Sequence, residues 1–227
     1  MIELRNVWFS YVDNRYVLKD INISFERGVT VIMGPNGSGK TTLLKVASCI
    51  YRPTKGEVII DNTPYWRLSE QRRLEYRRKI VYLHEKPILL KGRVEENIAY
   101  GLTIRGYDKR EASKKVHEIA RYLNIVNLLN KRASDLSIGE NQLVALARAL
   151  VIDPEYLFLD EPLSHLHMSK RERIIELIRS MKNKIVVIVT HDIFLTLTIA
   201  NKVVVLDEGR IIQIGNPQHI LKKKIIK

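Results

Sequence analysis

Acidic residues are scarce in this 227-residue chain: 25 Asp and Glu stand against 38 Lys and Arg, a formal charge of +13. Such a surplus keeps company with anions, whether nucleotide phosphates, nucleic acid or the anionic inner face of a membrane. The runs "RRLEYRRK" (Arg72–Lys79) and "KKKIIK" (Lys222–Lys227) concentrate it, and a solvated basic surface is the plainer reading of both. Cysteine is nearly absent. Cys49 alone excludes an internal disulfide and reads as a small apolar core residue. Long hydrophobic runs are missing too: "IVVIVT" (Ile185–Thr190) and "VVVL" (Val203–Leu206) fall short of the roughly 20 residues that cross a bilayer as a helix. Any membrane role then requires a partner. The opening "MIELRNVWFSY" alternates like a strand and offers no apolar signal core, so a cytosolic chain is expected. The 11 Gly and 7 Pro are too few for a disordered chain, and no repeat is visible.

What is present is the composition of a soluble globular protein, 45% hydrophobic and 28% charged, long enough for one substantial core or one core and a smaller lobe. Alternation in "IELRNVWFSY" and "VLKDINISFE" predicts two antiparallel strands before Gly28. "VTVIMG" is a continuous apolar run, the pattern of a strand buried on both faces, and "KTTLLKVASCI" from Lys40 reads as a helix. "GEVIIDN" and "KIVYL" return as strands. From about residue 87 to 135 the spacing turns helical, with Val116, Ile119, Ala120 and Leu123 as a packing stripe, which predicts a helical lobe inserted in an α/β core of residues 1–86 and 136–227. Beyond it come a helix closed by Pro154, the strand "YLFLD", a helix starting at the cap candidate Ser169, the strand "KIVVIVT", a helix capped by Asp192, and a hairpin turning at "DEG".

"GPNGSGKTT", residues 34–42, follows a buried strand and opens a helix, the setting that the phosphate-binding P-loop needs. Gly34, Pro35, Asn36, Gly37, Ser38 and Gly39 form the turn, whose backbone N–H groups can aim at phosphate oxygens beside a positive helix end. Lys40 is expected to reach the β- and γ-phosphates, Thr41 to bind Mg²⁺ and Thr42 to bond another phosphate. At the end of "YLFLDE", Asp160 can hold the metal through water, and Glu161 can polarise the attacking water or accept its proton. His191 ends the next buried strand, from where it can reach the γ-phosphate; capping is its bland alternative. His165 and His167 form a His-x-His pair with no third ligand evident, which argues against a zinc site.

With these motifs the chain resembles, over nearly its whole length, the nucleotide-binding subunit of ABC transporters. "LSIGENQ", residues 136–142, answers to the signature that the family otherwise shows as Leu-Ser-Gly-Gly-Gln. The resemblance implies a P-loop NTPase core with an antiparallel β subdomain and an inserted helical subdomain. It implies ATP hydrolysis at a head-to-tail dimer interface, with Ser137 and Gly139 of one subunit contacting the γ-phosphate held by the other. Tyr11 matches the aromatic that stacks on adenine, His191 the switch histidine, and Glu85 stands where a metal-side glutamine is common. Ile138 replaces a glycine, Leu143 a common arginine, and His167 a loop aspartate. "PILLKGRV" (Pro87–Val94) falls where the family docks cytoplasmic helices of its membrane subunits, with buried lobe core as the alternative. Implied partners are permease subunits, a second ATPase (a copy or a paralogue) and, through the permease, a solute-binding protein, with the chain held peripherally on the inner face of the cell membrane. A free-standing ATPase points to an importer, and the region around "EKPILLKGRVEENIAYGL" leans toward inorganic oxyanions such as tungstate or phosphate. A soluble relative acting on nucleic acid or ribosomes is the alternative that the charge favours. The coiled-coil insertion and tandem domains of such relatives are not in this sequence, so no nucleic-acid partner is expected.

Overall fold

The computed structural model describes residues 1–13, 15–164 and 166–225, without the side chains of residues 169 and 222–225. His165 and the basic side chains from Lys222 onward therefore lie outside the described residues. The chain divides into two compact units, one of Met1–Tyr82, Glu155–Glu161 and Ile178–Lys227, the other of Leu83–Pro154 and Pro162–Leu177.

In the first unit an antiparallel sheet has the order β2-β1-β4-β5, from β1 (Ile2–Ser10), β2 (Tyr16–Phe25), β4 (Lys55–Ile60) and β5 (Thr63–Pro64). Alternation along β1 buries Ile2 and Leu4, then Val7 and Phe9. A register shift between Leu4 and Val7, with Asn6 at φ +48°, moves the inward set from even to odd positions, as a bulge does. After β5, α2 (Glu70–Lys79) carries the basic run, capped by Ser69, and buries none of its residues. Two of its arginines meet aromatic residues: Arg73 sits 5.9 Å from the Trp66 ring centre, and Arg77 Nε donates to Tyr65 Oη at 3.3 Å.

A second sheet of the same unit contains β3 (Gly28–Met33), β6 (Ile80–Leu83), β7 (Tyr156–Asp160), β8 (Ile185–Val189), β9 (Lys202–Asp207) and β10 (Arg210–Gly215), in the order β10-β9-β3-β8-β7-β6. β8 runs parallel to both β3 and β7, and β9 runs parallel to β3. β7 and β8 are buried at every position, which their unbroken apolar sequence requires of strands covered on both faces. α1 (Lys40–Ala47) packs on β7 and β8. Because β3, β7 and β8 are parallel, the segments that follow them open at one end of the sheet, where α/β folds bind ligands. β10 pairs antiparallel with β9 through a turn at Glu208 and Gly209, both at positive φ. α7 (Ile193–Ile199) and α8 (Pro217–Ile225) complete the unit.

The second unit is helical. α3 (Val94–Thr103) packs against α4 (Lys109–Tyr122) and α5 (Ile138–Leu150). Val94, Ile98 and Leu102, four apart on α3, are fully buried, as are Val116, Ala120 and Leu146. Asp108 caps α4, its Oδ1 accepting from the N–H groups of Arg110 (2.8 Å) and Glu111 (2.9 Å). Leu143, at the position of a common arginine, is core. The unit extends past residues 87–135 to take in α5 and Pro162–Leu177. α6 (Met168–Ser180) already includes Ser169, so that residue is not its cap; the helix opens earlier, with the His167 carbonyl accepting from Lys170 and Arg171.

Candidate functional site

The P-loop follows β3 and leads into α1. Gly34 sits at φ +150°, and a Cβ there would fall 2.0 Å from the Leu206 carbonyl oxygen, so only glycine fits. Gly37 also takes a positive φ, +79°. Gly39 begins α1 without any side-chain cap, which leaves the first-turn N–H groups facing the loop. Ser38 is buried and its Oγ has no hydrogen-bond partner. An orphaned buried hydroxyl costs about 1–3 kcal/mol, a cost that an anionic ligand would relieve. Lys40 folds back so that Nζ donates to the carbonyls of Gly34 (2.9 Å) and Pro35 (2.7 Å). Burial lowers the Lys40 pKa, while Glu161 and Asp160 oppose the shift and favour its charge. The turn therefore fits a chain of phosphates.

Tyr11 stands over this loop. Its hydroxyl lies 3.0 Å from Thr42 Oγ1, and its ring meets Phe9 and Tyr51 edge-on at 5.0 and 5.7 Å. The ring remains 56% exposed, enough for one face to receive a flat base.

At the end of β7, Asp160 is 2% exposed and accepts a hydrogen bond from Tyr82 Oη on β6 at 3.2 Å. Burial and the neighbouring Asp160 push the Tyr82 pKa up, so the phenol keeps its proton and remains a donor. With the Thr41 hydroxyl, Asp160 offers the hard oxygen ligands that suit Mg²⁺. Glu161 follows in the left-handed region at φ +45°. Three successive residues at the end of β8 hold it: its N–H donates to the Val189 carbonyl at 2.9 Å, Thr190 Oγ1 donates to Oε2 at 3.1 Å, and His191 Nδ1 lies 2.8 Å from Oε1. Since a carboxylate only accepts, Nδ1 carries the proton in that contact.

Lys40, Thr41, Thr42, Tyr11, Asp160, Glu161 and His191 thus belong to the first unit, and Glu85, Ser137 and Gly139 to the second. Glu85 is half-buried in the bend after β6. Ser137 caps α5, accepting from the Glu140 N–H at 3.3 Å while Glu140 Oε2 accepts from the Ser137 N–H at 2.9 Å, a reciprocal capping box. Ile138 points away into solvent, 73% exposed.

Sequence reasoning assigned no part to Tyr82, Thr190 or Asn97. Asn97 is 1% exposed; its Oδ1 accepts from the Leu90 N–H at 2.7 Å, and its Nδ2 donates to the carbonyls of Leu90 and Arg93 at 3.0 Å. A second tie comes from Arg148 Nη2 to the Ile88 carbonyl at 2.9 Å. The loop backbone is fixed while Ile88 (85%) and Leu90 (44%) are exposed, so the loop is surface and only Val94, at its end, joins the lobe core. A cavity of about 870 Å³ lies along it.

The family model for ABC transporters matches residues 18–164. A molybdate/tungstate import ATP-binding protein, WtpC, of Methanocaldococcus jannaschii is 36% identical over 224 residues, covering 98% of this chain and 73% of that protein. A phosphate import ATP-binding protein, PstB 2, of Natronomonas pharaonis is 36% identical over 222 residues, covering 92% and 78%. Among solved structures, the dimeric post-hydrolysis state of the ATP-binding cassette MJ0796 bound to ADP and Pi gives a TM-score of 0.88 at 29% identity, covering 96% of this chain and 99% of that one. A family model that spans more than half of the residues, and relatives that align with almost all of them, establish that the chain belongs to the ABC transporter family, as one of its ATP-binding, ATP-hydrolysing subunits.

Proposed function

We propose that this ATPase drives a separate permease that imports a small inorganic oxyanion, and that it works as a head-to-tail pair. The cargo reading is supported by relatives named for molybdate, tungstate and phosphate import. The pairing is supported by the dimeric cassette and, above all, by the start of α5, where Ser137 and Ile138 are both exposed at the positive end of a 13-residue helix. That end is a second anion cradle. Ser137 and Gly139 of one copy complete the γ-phosphate site on the P-loop of the other.

In each site Lys40 and the loop amides hold the β- and γ-phosphates, and Tyr11 stacks on adenine. Thr41 and Asp160 would hold Mg²⁺, which would neutralise charge on the phosphates when bound. Glu161 takes the proton of the attacking water and His191 turns to the γ-phosphate. The pinned loop bearing Ile88 and Leu90 receives a short permease helix, placing the chain on the inner face of the membrane, with a solute-binding protein on the far side.

Glu161→Gln, which preserves shape while removing the base, is expected to form a stable dimer with ATP, read as a doubling of molar mass by light scattering. A monomer at saturating ATP would contradict the pairing. Deleting the chain from its cell is expected to abolish uptake of labelled tungstate or phosphate. Unchanged uptake of both would overturn the oxyanion reading and leave the ATPase standing.

A further inference from the structure

We propose that Thr190 is a positioning residue for hydrolysis, acting through Glu161. This rests on the reading of Glu161 as the group that takes the proton of water. The side-chain ties to Glu161 differ in permanence. Thr190 is 3% exposed, whereas the His191 side chain is 84% exposed and free to turn elsewhere. When His191 leaves, the Thr190 hydroxyl remains on Oε2.

The direction of that hydroxyl is set by its own neighbours. The Asp192 N–H donates to Thr190 Oγ1 at 3.1 Å, which occupies a lone pair and sends the hydroxyl proton toward Glu161 Oε2 at 3.1 Å. Asp192 is itself held as the cap of α7, its Oδ1 accepting from the Leu195 N–H at 2.9 Å. On the main chain, the Thr190 N–H reaches the Ile32 carbonyl on β3, the strand that leads into the P-loop, at 3.4 Å. Glu161 also sits at φ +45°, a conformation that strains a non-glycine residue, so its geometry depends on such ties. The arrangement fixes Oε2 against Thr190, while Oε1 takes the contact with the exposed His191.

Two variants separate positioning from packing. Thr190→Val keeps the volume and β-branching and loses the hydroxyl; Thr190→Ser keeps the hydroxyl and loses the methyl. Positioning predicts that Val lowers kcat about tenfold with the KM for ATP unchanged, while Ser stays near the parent rate. Packing alone predicts the reverse order. A fluorescent ATP analogue should bind both variants as it binds the parent, and thermal melts check that both fold. In single-turnover assays the Val effect should vanish in a Glu161→Gln background, since the two residues act as one unit. Parent-like kcat in Thr190→Val with an inactive Glu161→Gln overturns the Thr190 role alone. A fully active Glu161→Gln removes Glu161 from the chemistry, and the positioning role goes with it.

Discussion

The two units hold their functional groups in opposite ways. In the first, Asp160 is tied by Tyr82, Glu161 by the three residues that end β8, and Lys40 by two carbonyls of its own loop. In the second, the ties secure backbone for display: Asn97 and Arg148 hold the loop at Ile88–Arg93, and the Ser137–Glu140 box holds the start of α5, while Ile88, Leu90 and Ile138 face solvent. Fixed side chains suit chemistry, where a misplacement of about 1 Å costs about 100-fold in rate. Displayed side chains on a fixed backbone suit recognition, because little order is lost when a partner arrives.

Substitutions can break this contrast at several strengths. The largest effect belongs to Lys40→Ala, expected to cut phosphate release at least about 100-fold while urea melts change little; a retained rate would mean that the folded-back lysine does not serve phosphate. Next comes Asn97→Ala, which removes the partner of the Leu90 N–H and of the carbonyls of Leu90 and Arg93 and should cost about 2–3 kcal/mol of stability, measured by urea unfolding. Ser137→Ala removes a helix cap, a loss of about 1 kcal/mol, and should weaken ATP-dependent pairing far more than it weakens the fold; equal losses would reduce Ser137 to a cap. Smallest in stability is the pair Ile88→Asp and Leu90→Asp, within about 0.5 kcal/mol of the parent, yet these should abolish transport with ATP binding intact. Unimpaired transport would place the permease elsewhere.

Much of this was legible in the sequence, for reasons that are local. "VTVIMG", "YLFLD" and "KIVVIVT" declare buried strands by continuous apolar character, and the P-loop carries its own geometry in its glycines. Asp192 caps its helix whatever the rest of the chain does. Tyr82 and Thr190 were hidden because their partners depend on strand order: β8 lies between β3 and β7, and β6 beside β7, through crossovers that no local pattern records. Ile88 shows the same limit. Its apolar side chain reads equally as core or surface until Asn97 and Arg148 are seen holding the backbone beneath it.

The shared site can be tested by mixing two disabled chains. Lys40→Ala lacks its own phosphate grip, whereas Ser137→Asp keeps a good helix cap and sets a negative charge against the partner's γ-phosphate. Each alone should be inactive. Mixed, they should recover phosphate release, because a pair made from one of each contains one intact composite site; a mixture as inert as its parts, or a Ser137→Asp chain that hydrolyses normally by itself, would contradict a site built from two chains.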